Sequence, residues 1–301
     1  MHYSRSVSAF IHFVAVFLVA ISGEFVHAQT AGTAPIVVRD DRGITHSFAV
    51  SPQRIVSLLP SLAESVCALG HCGKLVGVDR YTLWPASLKP VPKMGGGLDP
   101  DIEQIVAAKP DVVLMAESAR AHARLTALGL RVLTLEPKTH ADVQRSLALL
   151  DKLLNGPQSA QAAKLWQGIE ARMVFARAQI APAHLGRRVY FEVGSGPWAA
   201  GPASFIGETL SRLGAVNIIA ASMGVFPQIS PEFVVRANPQ LIFINEKFAA
   251  ELPKRPGWVA IAALKENRVC ALSADDVDLI SRPGPRLGEA AERMLACLAR
   301  P

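Results

Sequence analysis

The 301-residue chain has few charges and no run of like charge, and both shortages narrow what it can be. Charged residues make up only 19% of it, too few for long disordered or solvating segments. Its net charge of +6 comes from scattered lysines and arginines, with no run longer than Arg187-Arg188. No basic stripe and no nucleic-acid-reading motif is present, so a nucleic-acid partner is not expected. Convergent metal ligands are also missing. His46, His71, His122, His140 and His184 fall on separate turns and helices rather than in one set, so no metal site is expected. The sequence lacks the marks of an enzyme as well. "GHCGKL" is too short for a phosphate loop and carries Leu75 where a Ser or Thr is required. "GSG" at Gly194–Gly196 lacks the G-x-S-x-G of a nucleophile elbow. These absences argue against a catalytic site, and no cofactor is expected.

Long apolar runs are missing too, except at the start. Arg5 and the apolar stretch Val7–Ile21 precede Val26-His27-Ala28, the pattern of a secretory signal cleaved after Ala28. The run is short for a bilayer-spanning helix, which needs about 20 residues. No cysteine stands near the cleavage point, so no lipid attachment is expected there. The reading is a signal peptide over 1–28 and a soluble periplasmic or secreted mature chain. In such an oxidising compartment Cys67, Cys72, Cys270 and Cys297 form an even set that allows three pairings. Cys67–Cys72 is favoured because the two lie close across a helix end at Gly70, which leaves Cys270 with Cys297. Zinc-like ligation by Cys67, His71 and Cys72 lacks a nearby fourth ligand.

Half of the residues are apolar, enough for two ordinary domains each with its own core. "PIVVRD" and "ITHSFAV" flank a turn as a hairpin. Apolar strands of four to six residues then alternate with helices. "SLAESVCALG" is read as a helix with Ser61 as N-cap, Glu64 three residues on and Gly70 as terminator. The alternation predicts a mostly parallel sheet covered on both faces. The stretch 155–184 reads as one long helix, with Pro157 in its first turn and Pro182 at its end. It shows no wide apolar stripe, as befits a helix bridging two bodies. After it the alternation restarts. The expected fold is α/β, with two Rossmann-like lobes, 29–154 and 185–301, joined by the single helix 155–184.

The two halves repeat. "DIEQIVAAKPDVVLM" aligns with "SPEFVVRANPQLIFI": Glu103 with Glu232, Ala108 with Ala237 and Pro110 with Pro239, each pair 129 residues apart. "SLAESVCALG" matches "SFIGETLSRLG", pairing Glu64 with Glu208 and Gly70 with Gly214, and "RVLTL" matches "RVCAL".

From Ile36 to the end the chain resembles the periplasmic solute-binding proteins of ABC importers. The resemblance rests on "PQRIVSLLPSLAESVCALG", "LVGVDRYTLWPASLKPVPKMGGGLDPDIEQIVAAKPDVVLM" and "RPGWVAIAALKENRVCAL". The group it resembles carries vitamin B12, iron-siderophores and haem, and the likeness is nearest to members that bind B12. The resemblance implies a monomer that holds a small-molecule chelate in the interlobe cleft. It also implies delivery of that chelate to transmembrane subunits with their ATPase. Ligand contacts are then expected from Tyr81, Trp84, Gly97, Trp198, Phe226, Asp276 and Arg282, with Asp278 nearby. Where B12-binding members carry a tryptophan, this chain has "MGGGLDP" around Gly97. The alternatives are an iron-siderophore or a haem receptor of the same fold, with Tyr81 as an axial ligand for haem, and behind these an exported α/β enzyme.

Asp101 and Ser230 read as N-caps, which puts Glu103 and Glu232 in first helical turns, where the helix dipole favours a carboxylate by roughly 0.3–1 kcal/mol. The resemblance implies a second role for both, as the pair that docks on two transporter subunits.

Overall fold

Strands form where β-branched and aromatic apolar residues run together, and helices where a cap opens an amphipathic stretch. A computed structural model describes residues 34–194 and 196–300 of the chain, and the expected signal peptide, 1–28, lies outside the described residues. The hairpin pairs β1 (Ile36–Arg39) with β2 (Thr45–Phe48), antiparallel, Val38 opposite His46. The Asp40 carboxylate closes its turn by accepting from the N–H groups of Arg42 and Ile44.

The first sheet contains β3 (Ile55–Ser57), β4 (Leu75–Val78), β5 (Val112–Met115) and β6 (Val132–Thr134), all parallel, in the order β4-β3-β5-β6. Helices α1 (Pro60–Ala68), α2 (Ile102–Ala107), α3 (His122–Ala127) and α4 (His140–Asn155) connect and cover it. Helix α5 (Gln161–Ala178) leads to the second sheet. There β7 (Arg188–Gly194) carries β10 (Leu241–Asn245) and then β11 (Val269–Leu272), both parallel. Two short strands share the other edge of β7: β9 (Val216–Asn217), parallel, and β8 (Trp198–Ala199), antiparallel. The helices of this half are α6 (Phe205–Arg212), α7 (Pro231–Ala237), α8 (Glu246–Ala249), α9 (Ala262–Lys265), α10 (Ala274–Ile280) and α11 (Leu287–Leu298).

Setting β8 aside, the two sheets have one topology. In each, the second parallel strand lies outside the first, and the third and fourth follow on the other side. The correspondence reaches single residues. Gly70 and Gly214 end α1 and α6 at φ +88° and +85°, a region glycine enters without steric cost. Lys109 and Asn238, 129 residues apart, both take left-handed φ (45° and 46°) just before a proline that lies two residues ahead of the next strand.

Local differences from the expectation have local causes. Helix α1 begins at Pro60 with Leu59 as N-cap, so Ser61 does not cap it; proline, lacking an N–H, fits the first helical position. Helix α5 starts at Gln161, and Pro157 lies in the turn before it. Its buried residues are Ala162, Ile169, Met173 and Ala176, a narrow stripe against α4 and α11. Gly288 of α11 faces Arg172 of α5, where an added Cβ would come within 3.0 Å of that side chain. Pro35–Pro301 is accordingly one compact unit, and the largest of the three hydrophobic clusters among its described residues runs from Val38 and Leu62 through Met173 to Phe205 and Met294. Cys67–Cys72 ties the end of α1 to the turn after it, and Cys270–Cys297 ties β11 to α11, with Cα separations of 4.2 and 5.8 Å. Among the described residues no helix is long and apolar enough to cross a membrane.

Candidate functional site

Parallel strands deliver their following loops to one end of a sheet, and the carboxyl ends of these two sheets meet. A cavity of about 340 Å³ lies between them. Leu59 follows β3, Ala116 and Ser118 follow β5, and Glu136 to Lys138 follow β6. The second half contributes Val193 of β7, Phe205 and Ile206 at the start of α6, Phe226, and Ser281 with Pro283.

Direct contacts join the halves beside this cavity. The Phe205 N–H donates to the Lys138 carbonyl (2.7 Å). The His140 N–H donates to Glu208 Oε2 (2.5 Å), and His140 Nε2 lies 3.1 Å from the Phe205 carbonyl and 2.8 Å from Thr209 Oγ1. That carbonyl can only accept, so the ring proton sits on Nε2. Burial, then the charge of Arg212, lowers the His140 pKa to about 4, which keeps the ring neutral. On the other side Arg282 Nη1 donates to Glu64 Oε1 (2.9 Å), and Nη2 donates to the Tyr81 carbonyl (2.6 Å) and to Asp278 Oδ2 (2.7 Å). Burial pushes the Glu64 carboxyl above its ordinary range, partly offset by Arg282.

The expected site residues divide. Tyr81 is 63% exposed, its N–H held by Asp79 Oδ1 (2.8 Å) and its carbonyl by Arg282, so the backbone is anchored and the ring is free. Trp198 is 44% exposed and pairs with Gly194, just beyond Val193 of the cavity wall. Phe226 lines the cavity and packs edge-on against Phe205 at 6.1 Å. Trp84 is half-buried; Arg286 lies over its ring at 4.6 Å, so only part of the ring is left for a ligand. Gly97 lies against the Leu58 carbonyl, 3.3 Å from where a Cβ would stand. Its neighbour Gly95, at φ +80°, leaves no room for a side chain beside the Asp99 carbonyl (2.5 Å). These glycines make a tight turn that leaves Leu98 73% exposed.

Two of the expected polar residues are already engaged within the fold. Asp276 completes the capping box of α10, accepting from the N–H of the N-cap Ser273, and is paired with Arg293 (Nη2 to Oδ2, 2.7 Å). Burial alone would raise its pKa, but the hydrogen bonds from Arg293 and Ser273 win and hold it below the ordinary range. Its carboxylate is therefore occupied within the fold. Arg282 is 8% exposed and engaged by Glu64, Asp278 and Tyr81, so it joins the halves. Glu103 and Glu232 stand exposed in the first turns of α2 and α7, behind the caps Asp101 and Ser230, whose side chains accept from Gln104 and Phe233 N–H.

Sequence reasoning missed Glu136 and Lys138 of the cavity wall. The rule that found Tyr81, a polar residue just past a strand, applies equally to "RVLTLEPK". Among the described residues no group of three or more His, Cys, Asp or Glu side chains is arranged to hold a metal ion.

Comparison with known proteins bears on this geometry. A family profile described as periplasmic binding protein matches residues 55–275. An uncharacterized ABC transporter substrate-binding lipoprotein of Bacillus subtilis is 29% identical over 88% of this chain and 86% of its own length. The crystal structure of the periplasmic vitamin B12-binding protein of Vibrio cholerae superposes with a TM-score of 0.68 at 27% identity, covering 83% of this chain and 97% of that one. A periplasmic haem-binding protein from Pseudomonas aeruginosa superposes with a TM-score of 0.71 at 27% identity, covering 82% and 93%.

Proposed function

We propose a receptor function from one premise: the chain belongs to the periplasmic binding protein family. The cleft between its sheets captures a large, flat, metal-centred chelate, and the chain hands that chelate to the membrane subunits of an ABC importer. Cobalamin is the ligand we favour. The observation that carries this reading is the pair of exposed aromatic rings, Tyr81 and Trp198, one from each half. Flat ligands are held mainly by such apolar walls, with few polar groups fixing orientation. The similarity to the vitamin B12-binding protein of Vibrio cholerae supports the same choice. In this reading the halves act as two lobes, 29–154 and 185–301, and the helical segment 155–184 between them gives little hinge for closure. Glu103 and Glu232, at equivalent places in the two halves, face the two transporter subunits.

Haem is the second reading. The Tyr81 phenol makes no hydrogen bond among the described residues and is free to ligate iron, and the Pseudomonas aeruginosa structure supports this choice. Calorimetry with cyanocobalamin, haemin and ferric siderophores separates the two. Cobalamin binding at one per chain, weakened roughly 10-fold in Tyr81→Ala and in Trp198→Ala, is expected. A ligand whose affinity is unchanged in both variants overturns the aromatic-wall reading.

A further inference from the structure

Among the described residues lining the cavity, Lys138 is the one lysine or arginine. Arg80 is paired with Asp99 at 2.6 Å. Arg282 is held by Glu64 and Asp278, and Arg286 by Glu289 (3.0 Å) and the Trp84 ring. Lys93 donates to the Thr82 and Leu88 carbonyls. Lys138 lines the cavity, is exposed, and its ammonium makes no hydrogen bond or ion pair among the described residues. Its main chain is fixed at both ends: the N–H donates to Asp142 Oδ2 (3.2 Å) and the carbonyl accepts from Phe205 (2.7 Å). The backbone is pinned while the ammonium at the cavity wall is unpartnered, so that charge is available to a ligand.

The acid beside it does not cancel it. Glu136, two residues earlier on the same loop, accepts from the Ser118 N–H through Oε2 (2.8 Å) and forms no ion pair with Lys138. Helices α4 and α6 both begin here, at His140 and Phe205, and their N-terminal ends add positive potential to the ammonium.

We propose that Lys138 is the residue that reads ligand charge: it pairs with one acidic group, a phosphate or a carboxylate, on the bound chelate. This rests on the reading of the cleft as a chelate site. It adds a selection rule, since the one lysine in the cavity wall matches one acidic group better than two.

The test uses the full mature chain and ligand pairs that differ in acidic groups. Cyanocobalamin carries a phosphodiester that dicyanocobinamide lacks; haemin carries two propionates that its dimethyl ester lacks. Binding is measured by calorimetry for wild type, Lys138→Gln and Lys138→Glu at two salt concentrations, with thermal unfolding as the folding control. The expected result is a roughly 10-fold weakening of the acid-bearing ligand in Lys138→Gln, and more in Lys138→Glu, with a shallower salt dependence. The acid-free partner should change by less than about two-fold. Loss with the cobalamin pair assigns the phosphate, and loss with the haemin pair the carboxylate. Equal losses for both members of a pair, or no loss for the acid-bearing one, overturn the proposal. A wild-type protein that binds neither pair overturns the chelate reading itself, and the lysine assignment falls with it.

Discussion

Arg282 of the second half donates to Glu64 of the first at 2.9 Å, with Arg282 only 8% exposed and Glu64 1%. The repeat gives this contact a counterpart. Glu208, the residue aligned with Glu64, reaches the opposite way, to the His140 N–H of the first half. The two equivalent carboxylates therefore join the halves on either side of the cavity. Each comes from the helix after the first parallel strand of its sheet, which points toward the other half.

Removing the arginine should expose the cost of the buried charge. Arg282→Met is expected to lose about 3 kcal/mol of stability, because breaking a buried pair leaves its partner uncompensated. Glu64→Gln in the same chain should restore at least half of that. Burial raises the Glu64 pKa, so the favourable neutral form is present below about 4.5 and is lost as pH rises through the folded-state pKa. The deficit of Arg282→Met should accordingly grow with pH. Urea unfolding of the three proteins at pH 5 and pH 8 measures this, and a deficit that is the same at both would contradict it.

His140 makes the fold acid-sensitive. Its folded pKa, lowered to about 4, lies below the ordinary 6.5, so the unfolded chain binds the proton first as pH falls. Stability from the neutral ring is complete above pH 6.5 and declines toward pH 4, by about 3 kcal/mol in all. His140→Gln cannot titrate, so its stability should vary less across that window. Denaturant midpoints at pH 7, 5.5 and 4.5 provide the comparison, and parallel curves for the two proteins would refute it.

The two disulfides should contribute unequally. Cys270–Cys297 closes a loop with a sequence separation of 27, and Cys67–Cys72 one with a separation of 5. Loop-closure entropy assigns them about 3.6 and about 2.2 kcal/mol. Paired serine replacements, compared by thermal unfolding, should show the larger loss for the Cys270–Cys297 pair. The reverse order would mean that the entropy of the unfolded chain does not govern them.

Charge reversal separates docking from binding. Glu103→Lys with Glu232→Lys should leave chelate affinity within about two-fold, because both residues are exposed in first helical turns outside the cavity lining. Transport in reconstituted vesicles should fall about 10-fold or more, through encounter and register with the membrane subunits. Undiminished transport would remove the docking role and leave both glutamates as helix-end charges.

Much of the fold was legible because its signals are local. The caps Asp101 and Ser230, the terminators Gly70 and Gly214, and the apolar strand runs each act within a few residues. The 129-residue repeat then reported two sheets of one topology, down to the left-handed backbone at Lys109 and Asn238. The start of α1 was misread because Pro60 and Ser61 both suit a helix start, and only the backbone shows which position each takes.

The site was less legible because a charged side chain carries no mark of its partner. Asp276 and Arg282 read as polar loop residues free for a ligand, yet Arg293, Glu64 and Asp278 hold them within the fold. Lys138 read as nothing in particular, yet it keeps an unpartnered charge at the cavity wall. Sequence by itself determined the α/β alternation and the repeat, since these depend on hydrophobic period and short-range capping. Tertiary structure alone decided which charges are neutralised inside the protein and which remain unpartnered, since that depends on groups as far apart in the chain as Glu64 and Arg282 meeting within hydrogen-bond distance.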